Sequence, residues 1–251
     1  MTKILAVAGK GGTGKTTLAA LAVRSFVRGG RTPVLAIDAD PNSNLGESLG
    51  VVVDRTIGDT REDFFEQKGS VPAGMSKESY LDMRLNQILI EAIGYDLLVM
   101  GRQEGPGCYC FINNILRSYS ERLADNYKAL VVDNEAGMEH ISRRTTYKID
   151  TLWMVTDHSL RGLRAVKRIH ELIQSLKLRI ESRGVVVNRA PATLDPVFTA
   201  ELQEIGLPLL GTVPEDSNLG VYDMERRGLF DLPNDSVSVR AVQTLMSPML
   251  S

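Results

Sequence analysis

The stretch Gly9-Lys10-Gly11-Gly12-Thr13-Gly14-Lys15-Thr16 constrains this chain more than any other. It fits Gly-x4-Gly-Lys-Thr, follows the apolar run 4–8 and precedes the Ala/Leu-rich Leu18-Ala19-Ala20-Leu21-Ala22-Val23. A strand, a glycine loop and a helix in that order make a phosphate cradle. The glycines let backbone N–H groups wrap an anion, and the helix beginning near Lys15 turns its positive end toward it. Gly11, Gly12, Thr13 and Gly14 then line the cradle and Lys15 meets the β- and γ-phosphates. Thr16 gives its hydroxyl to Mg²⁺, and Thr17 reaches an α-phosphate oxygen. The implied ligand is a nucleoside triphosphate, with ATP the leading choice.

Further apolar runs at 34–37, 97–100, 129–132, 152–155, 184–187 and 209–213 do not alternate with polar residues. Strands buried on both faces have this pattern. Helical spacing lies between several of them: Leu81, Leu85, Ile88, Leu89, Ala92 and Ile93, and then Leu160, Leu163, Val166, Ile169, Leu172, Ile173 and Leu176. Strand, helix, strand implies parallel pairing with right-handed crossovers. The expected fold is a three-layer α/β P-loop NTPase whose mostly parallel, doubly wound central sheet is flanked by helices. No repeat or linker divides the chain, so residues 1–251 form one domain, with 51–76 the least patterned segment and the place for any insertion. The spacing of Val242, Leu245, Met246 and Met249 predicts a final helix packed on the core.

Two acidic segments follow strands, at the edge where such sheets gather ligands: Asp38-Ala39-Asp40-Pro41-Asn42 and Asp133-Asn134-Glu135-Ala136-Gly137. Asp133 is the candidate magnesium carboxylate, a helix cap being the plainer role. Gly137 could turn its backbone to the γ-phosphate. Asp40 is the candidate for orienting the attacking water, although Asp-Pro also suits a turn. Asn188, after a buried strand, offers a donor and an acceptor to a purine edge or caps the turn before Pro191.

Twenty-nine basic against 31 acidic residues give a net charge of −2, which predicts no nucleic-acid partner. Arg161, Arg164, Lys167 and Arg168 share one side of a helical pattern and are expected to be a solvated face. The apolar runs are too short to cross a bilayer, which predicts no membrane partner. Two cysteines are too few for a secreted disulfide framework, so a cytoplasmic location is expected.

Those two, Cys108 and Cys110, follow Gly105-Pro106-Gly107 and precede a helical pattern over 111–124. A helix start favours thiolate, and thiolates one residue apart can point to one side of an extended backbone. Thiolates suit soft or borderline metals, and two chains about a twofold axis would supply four sulfurs. The metal-site expectation is Cys108 and Cys110 shared across a homodimer, holding Ni²⁺, with Zn²⁺ possible in the same site. Plainer roles are small buried hydrophobes or a local disulfide.

Lys10 beside Lys15 resembles the deviant Walker A group, which includes MinD, ParA-type partitioning proteins and the nitrogenase iron protein. The resemblance implies a nucleotide-sandwich homodimer in which Lys10 acts catalytically on the partner's phosphates. It also implies Asp40 for the water, Asp133 for magnesium, and adenine contacts at Asn188, Pro214 and Asp216. Gly-Pro-Gly-Cys-Tyr-Cys at 105–110, Asn113-Asn114 and the run from Asp133 to His140 narrow it. These resemble the nickel-insertion ATPases of carbon monoxide dehydrogenase and the related maturation ATPases of acetyl-CoA synthase. The resemblance therefore implies a nickel-enzyme client. A MinD/ParA-like spatial organiser and an iron–sulfur reductase like the nitrogenase iron protein are the alternatives. The latter draws one cysteine from each of two loops, unlike Cys-x-Cys.

Overall fold

The computed structural model describes residues 2–66, 71–101, 126–135 and 149–250. Cys108, Cys110, the helix expected over 111–124, Gly137 and His140 lie outside the described residues.

All seven apolar runs are strands: β1 (Lys3–Gly9), β2 (Val34–Ala39), β4 (Tyr95–Val99), β5 (Ala129–Asn134), β6 (Ile149–Thr156), β7 (Ile180–Ala190) and β8 (Leu209–Pro214). An eighth, β3 (Ile90–Ala92), was not expected. The sheet order is β3-β4-β2-β5-β1-β6-β7-β8, parallel throughout except for the antiparallel β3–β4 edge pair. The chain leaves β1 for β2, returns to fill the gap with β5, and then crosses β1 to β6. The carboxyl end of β1 therefore lies at the reversal of winding, where doubly wound sheets form a crevice.

Helices α1 (Lys15–Arg28) and α2 (Leu45–Leu49) share one face with α7 (Ser217–Met224) and α8 (Val237–Leu250). The opposite face is covered by α5 (Leu160–Leu176) and α6 (Pro196–Ile205) over β6 and β7, and by α3 (Ile57–Glu66) and α4 (Lys77–Ile88) over β2 and β4. Side chains alternate between these layers. Leu5 and Val7 pack toward α1, and Ala6 and Ala8 toward α5, which explains why the strands carry no polar side.

α1 is buried on nearly every side, because the sheet, α2 and α8 all press on it. Arg24 lies inside this packing. Its guanidinium donates to the carbonyls of Phe230 (3.2 Å) and Leu232 (2.7 Å) and to Asn234 Oδ1 (2.9 Å). A buried charge stripped of its partners costs roughly 3–5 kcal/mol, so these bonds tie segment 230–234 to α1. The final helix behaves as its spacing predicts, with Val242, Met246 and Met249 buried against the core.

The helix expected through Leu89, Ala92 and Ile93 stops at Ile88. The chain turns extended at Leu89, pairs Ile90 with Leu97 and Ala92 with Tyr95, and reverses at Ile93-Gly94. Ile93, which a helix would have buried, stands 96% exposed at the hairpin tip. A short apolar run suits either geometry, and here the open edge of β4 decides it by supplying hydrogen-bond partners. Segment 51–76 contains α3, anchored through buried Ile57 and Phe64. The cations Arg161, Arg164, Lys167 and Arg168 are exposed on α5, as expected. No helix of the described residues is long and apolar enough to cross a membrane.

Candidate functional site

The glycine loop closes on itself before it meets any ligand. Thr13 donates its hydroxyl (2.8 Å) and its N–H (3.4 Å) to the Lys10 carbonyl, and the buried Lys15 ammonium lies 3.5 Å from the same oxygen. Gly14 precedes α1 in the left-handed region with no side chain capping the helix, so the first N–H groups of α1 stay open. An uncapped N-terminus beside a buried ammonium is an anion site by construction. Gly14 needs its lack of a side chain twice over. Its φ is 86°, and a Cβ there would sit 2.2 Å from Asn188 Nδ2. At Gly9 a Cβ would meet the Val155 carbonyl oxygen of β6 at 2.1 Å, so only glycine lets β1 end beside β6.

Asp133 lies level with Val7 of β1 and with Asp38 of β2. Both aspartates are fully buried on the α1 side of the sheet. Asp38 accepts from the N–H groups of Asp40 (3.1 Å) and Leu45 (2.9 Å), while neither oxygen of Asp133 has a good hydrogen bond among the described residues. Burial pushes the Asp133 carboxyl up to about 7 against the pull of the nearby Thr16 hydroxyl, with Asp38 adding repulsion and Lys15 relieving it. Burial likewise pushes Asp38 up to about 6, against its two backbone bonds. An orphaned, desolvated carboxylate beside Thr16 and the cradle fits magnesium, which takes one or two protein oxygens and completes its shell with phosphates and water. Among the described residues no three His, Cys, Asp or Glu side chains converge to hold a metal without such help.

Asp40 stands beyond this pair. One oxygen accepts from the Asn42 N–H (2.9 Å) and Nδ2 (2.8 Å), and its carbonyl accepts from Ser43 N–H (3.0 Å), the Asx turn that Asp-Pro-Asn favours. The other oxygen accepts no hydrogen bond among the described residues, so turn-making and water-orienting are compatible in one residue.

The third group is assembled from β7, β8 and α7. Asn188 is 5% exposed and donates Nδ2 to the Thr13 carbonyl at 2.9 Å. A carbonyl only accepts, which fixes the amide and leaves Oδ1 as an acceptor toward the cleft. Asp216 caps α7 by accepting from Asn218 N–H (3.0 Å), and also accepts from Ser238 N–H (3.1 Å), Ser238 Oγ (2.7 Å) and Ser236 Oγ. These bonds hold its carboxyl below the usual carboxylate range against desolvation, and they pin the start of α8 to that of α7. Pro214 is exposed beside them.

A cleft of about 640 Å³ runs from Thr16 and Thr17 at the start of α1 past Asn44 and Glu47 to Asn188, Pro214 and Asp216. Sequence reasoning missed three of its features. Asp38 was treated only as part of a segment, although an Asp-x-Asp at a strand end places both residues on one side. The Asn188–Thr13 bond joins residues 175 positions apart and leaves no local signal. Arg189 lines the cleft at φ 50°, a left-handed conformation costing an L-residue roughly 1–2 kcal/mol.

Comparison with known proteins agrees with this geometry. The profile of the CobQ/CobB/MinD/ParA nucleotide binding domain matches residues 4–228. An uncharacterized ATP-binding protein of Methanocaldococcus jannaschii is 40% identical over 250 residues, covering 99% of this chain and 98% of that protein. The carbon monoxide dehydrogenase accessory protein CooC of Rhodospirillum rubrum is 28% identical over 239 residues, covering 91% of this chain and 89% of that protein. The septum site-determining protein MinD of Pyrococcus horikoshii, solved with Mg-ADP, superposes with a TM-score of 0.70. It is 20% identical and covers 99% of this chain and 96% of its own.

Proposed function

The chain belongs to the CobQ/CobB/MinD/ParA family of nucleotide-binding domains and is a P-loop ATPase, and from that premise we propose that it is a nickel metallochaperone. On this reading Cys108 and Cys110 of two copies bind the cargo nickel at a nucleotide-dependent homodimer interface. The ATPase cycle then assists nickel insertion into carbon monoxide dehydrogenase or acetyl-CoA synthase. The observation that carries the reading is the Cys-x-Cys after Gly105-Pro106-Gly107, in a chain similar over nine-tenths of its length to a carbon monoxide dehydrogenase accessory protein.

The geometry supports the following roles. The open N–H groups of α1 and the Lys15 ammonium bind the phosphates. Thr16 and Asp133 would hold magnesium, which would supply positive charge to offset the charge of the phosphates. The free oxygen of Asp40 orients water in line with the γ-phosphate. Lys10 of a second copy supplies charge to that phosphate, as an arginine finger does. Asn188 Oδ1 accepts from the amino group of adenine and faces the carbonyl of guanine with repulsion. Asp216 acts mainly as a scaffold, since Oδ2 accepts three bonds from Ser236 and Ser238 and Oδ1 one from Asn218.

If only the closed dimer completes the sulfur site, nickel and ATP must strengthen each other's binding, because linkage is reciprocal. The test is a nickel titration with and without a non-hydrolysable ATP analogue while oligomeric state is followed. Tighter nickel binding together with dimerisation supports the proposal, whereas unchanged affinity in a persistent monomer overturns it. A spatial organiser of the MinD kind shares the nucleotide site. Among the described residues the apolar face of α8 is buried on α1 and β8 and is not free for a membrane.

A further inference from the structure

Along β7 the side chains alternate as a strand requires: Val185 and Val187 pack under α5 and α6, and Val186 toward α1. Continued alternation would put Asn188 on the α1 side, Arg189 under α6 and Ala190 on the α1 side again. The chain does otherwise. The pairing with β8 slips between Asn188 and Ala190, Ala190 packs with the α5 and α6 cluster, and Arg189 lies in the cleft lining beside Asn188. Its left-handed φ of 50° is what permits the slip. Only four non-glycine residues among those described adopt positive φ, and two, Arg189 and Arg226, are cleft arginines. Strain of this kind persists where a side chain is being aimed.

The Arg189 side chain is aimed at no described protein group. It is exposed and makes no ion pair or hydrogen bond with any described residue. Across the slip, Ala190 is level with Pro214, whose ring is an exposed apolar wall of the same cleft. Nearby, the Asn188 amide nitrogen is held by Thr13 and the Asp216 carboxylate by the starts of two helices. Those groups read or frame the edge of a base, and neither can cover its face. A guanidinium is planar, permanently charged and weakly hydrated, which suits it to lie on an aromatic ring.

We propose that Arg189 is a base-binding residue, its guanidinium stacking on the purine face opposite Pro214. This rests on the reading that the cleft takes a nucleotide. Stacking is indifferent to which purine is present, so Arg189 supplies affinity for the nucleoside while Asn188 supplies the choice.

The experiment titrates ADP, GDP and tripolyphosphate into the full-length protein and into Arg189→Ala and Arg189→Lys. Arg189→Ala is expected to weaken ADP and GDP alike by about 5- to 20-fold and to leave tripolyphosphate within about twofold. Arg189→Lys keeps the charge without the plane and should recover only a small part. Unchanged ADP affinity in Arg189→Ala overturns the proposal. So does an equal loss of tripolyphosphate, or full recovery in Arg189→Lys, because each makes Arg189 a point charge at most. If the unaltered protein binds none of the three, the nucleotide reading fails and this inference with it. If it binds tripolyphosphate and ADP equally well, only the base contact fails. Melting temperatures of the variants show whether the fold is intact, and the exposure of Arg189 predicts that it is.

Discussion

The phosphate end of the site is made from the continuous run 9–17, whose Thr16 and Thr17 open into the cleft, and from two neighbouring strand ends, Asp38 and Asp133. The base end is made from Asn188 and Arg189 on β7, residues 214–216 after β8, and parts of α2 and α7. Among the described residues the phosphate end leaves polar groups without partners, namely both oxygens of Asp133 and the open N–H groups of α1. The base end engages its polar groups in the fold, with Asn188 bonded to the glycine loop and Asp216 to α7 and α8. Unsatisfied buried polar groups are costly, so a chain that keeps them has arranged for a ligand to complete them. Where the polar groups already have partners, the ligand meets a preformed surface, and selectivity comes from what each group has left to offer.

The largest effect should lie at the phosphate end. Lys15→Ala removes the charge-assisted contact to the β-phosphate and should weaken ADP about 10- to 100-fold, read by calorimetric titration. Lys10→Ala should leave ADP affinity within about threefold while abolishing most phosphate release, because Lys10 serves the other copy. Equal loss of binding in both variants would break the division between the two lysines.

The orphaned carboxylate gives the next effect, in the nucleotide-free protein without magnesium. The folded Asp133 carboxyl sits near 7 rather than its usual 3.8, so between about pH 4 and about 7 the folded chain holds a proton that the unfolded chain has released. Stability must therefore fall as pH rises through that window, and Asp38, near 6, contributes only to its lower part. Asp133→Asn should remove the fall in melting temperature between about pH 6 and 7 and leave a gentler one below. A variant with the same slope would show that Asp133 is not the group involved.

The smallest effect belongs to the base end. Asn188→Ala deletes one acceptor and should lower the preference for ATP over GTP about 5- to 10-fold, with a modest loss of stability from the unpartnered Thr13 carbonyl. An unchanged ratio of the two affinities would place base selection elsewhere and remove the contrast drawn above.

Legibility divides along the same line. The phosphate loop could be read from the sequence because its function needs consecutive residues: glycines for backbone access, then lysine and threonine at fixed spacing. The seven parallel strands were legible because burial on both faces forbids alternation. β3 was not, since Leu89-Ile90-Glu91-Ala92 fits helix and strand equally and only the open edge of β4 decides. The part of the proposed function that rests on Cys108 and Cys110 is supported by the sequence motif and by the similarity to a carbon monoxide dehydrogenase accessory protein.

What the sequence by itself determined is the chemistry that repeats over short spans: a nucleotide cradle, a parallel α/β sheet, acidic strand ends and a final helix packed on the core. What only the tertiary structure decided is which lone pairs and charges remain free. The Asn188 amide could be oriented only by the Thr13 carbonyl 175 residues away, and the Asp216 carboxylate is engaged only by groups the fold brings to it, Ser236 and Ser238 among them. Arg189 could reach the cleft only through the slip between β7 and β8. Hydrogen-bond satisfaction belongs to pairs brought together by folding, so no single stretch of sequence records it.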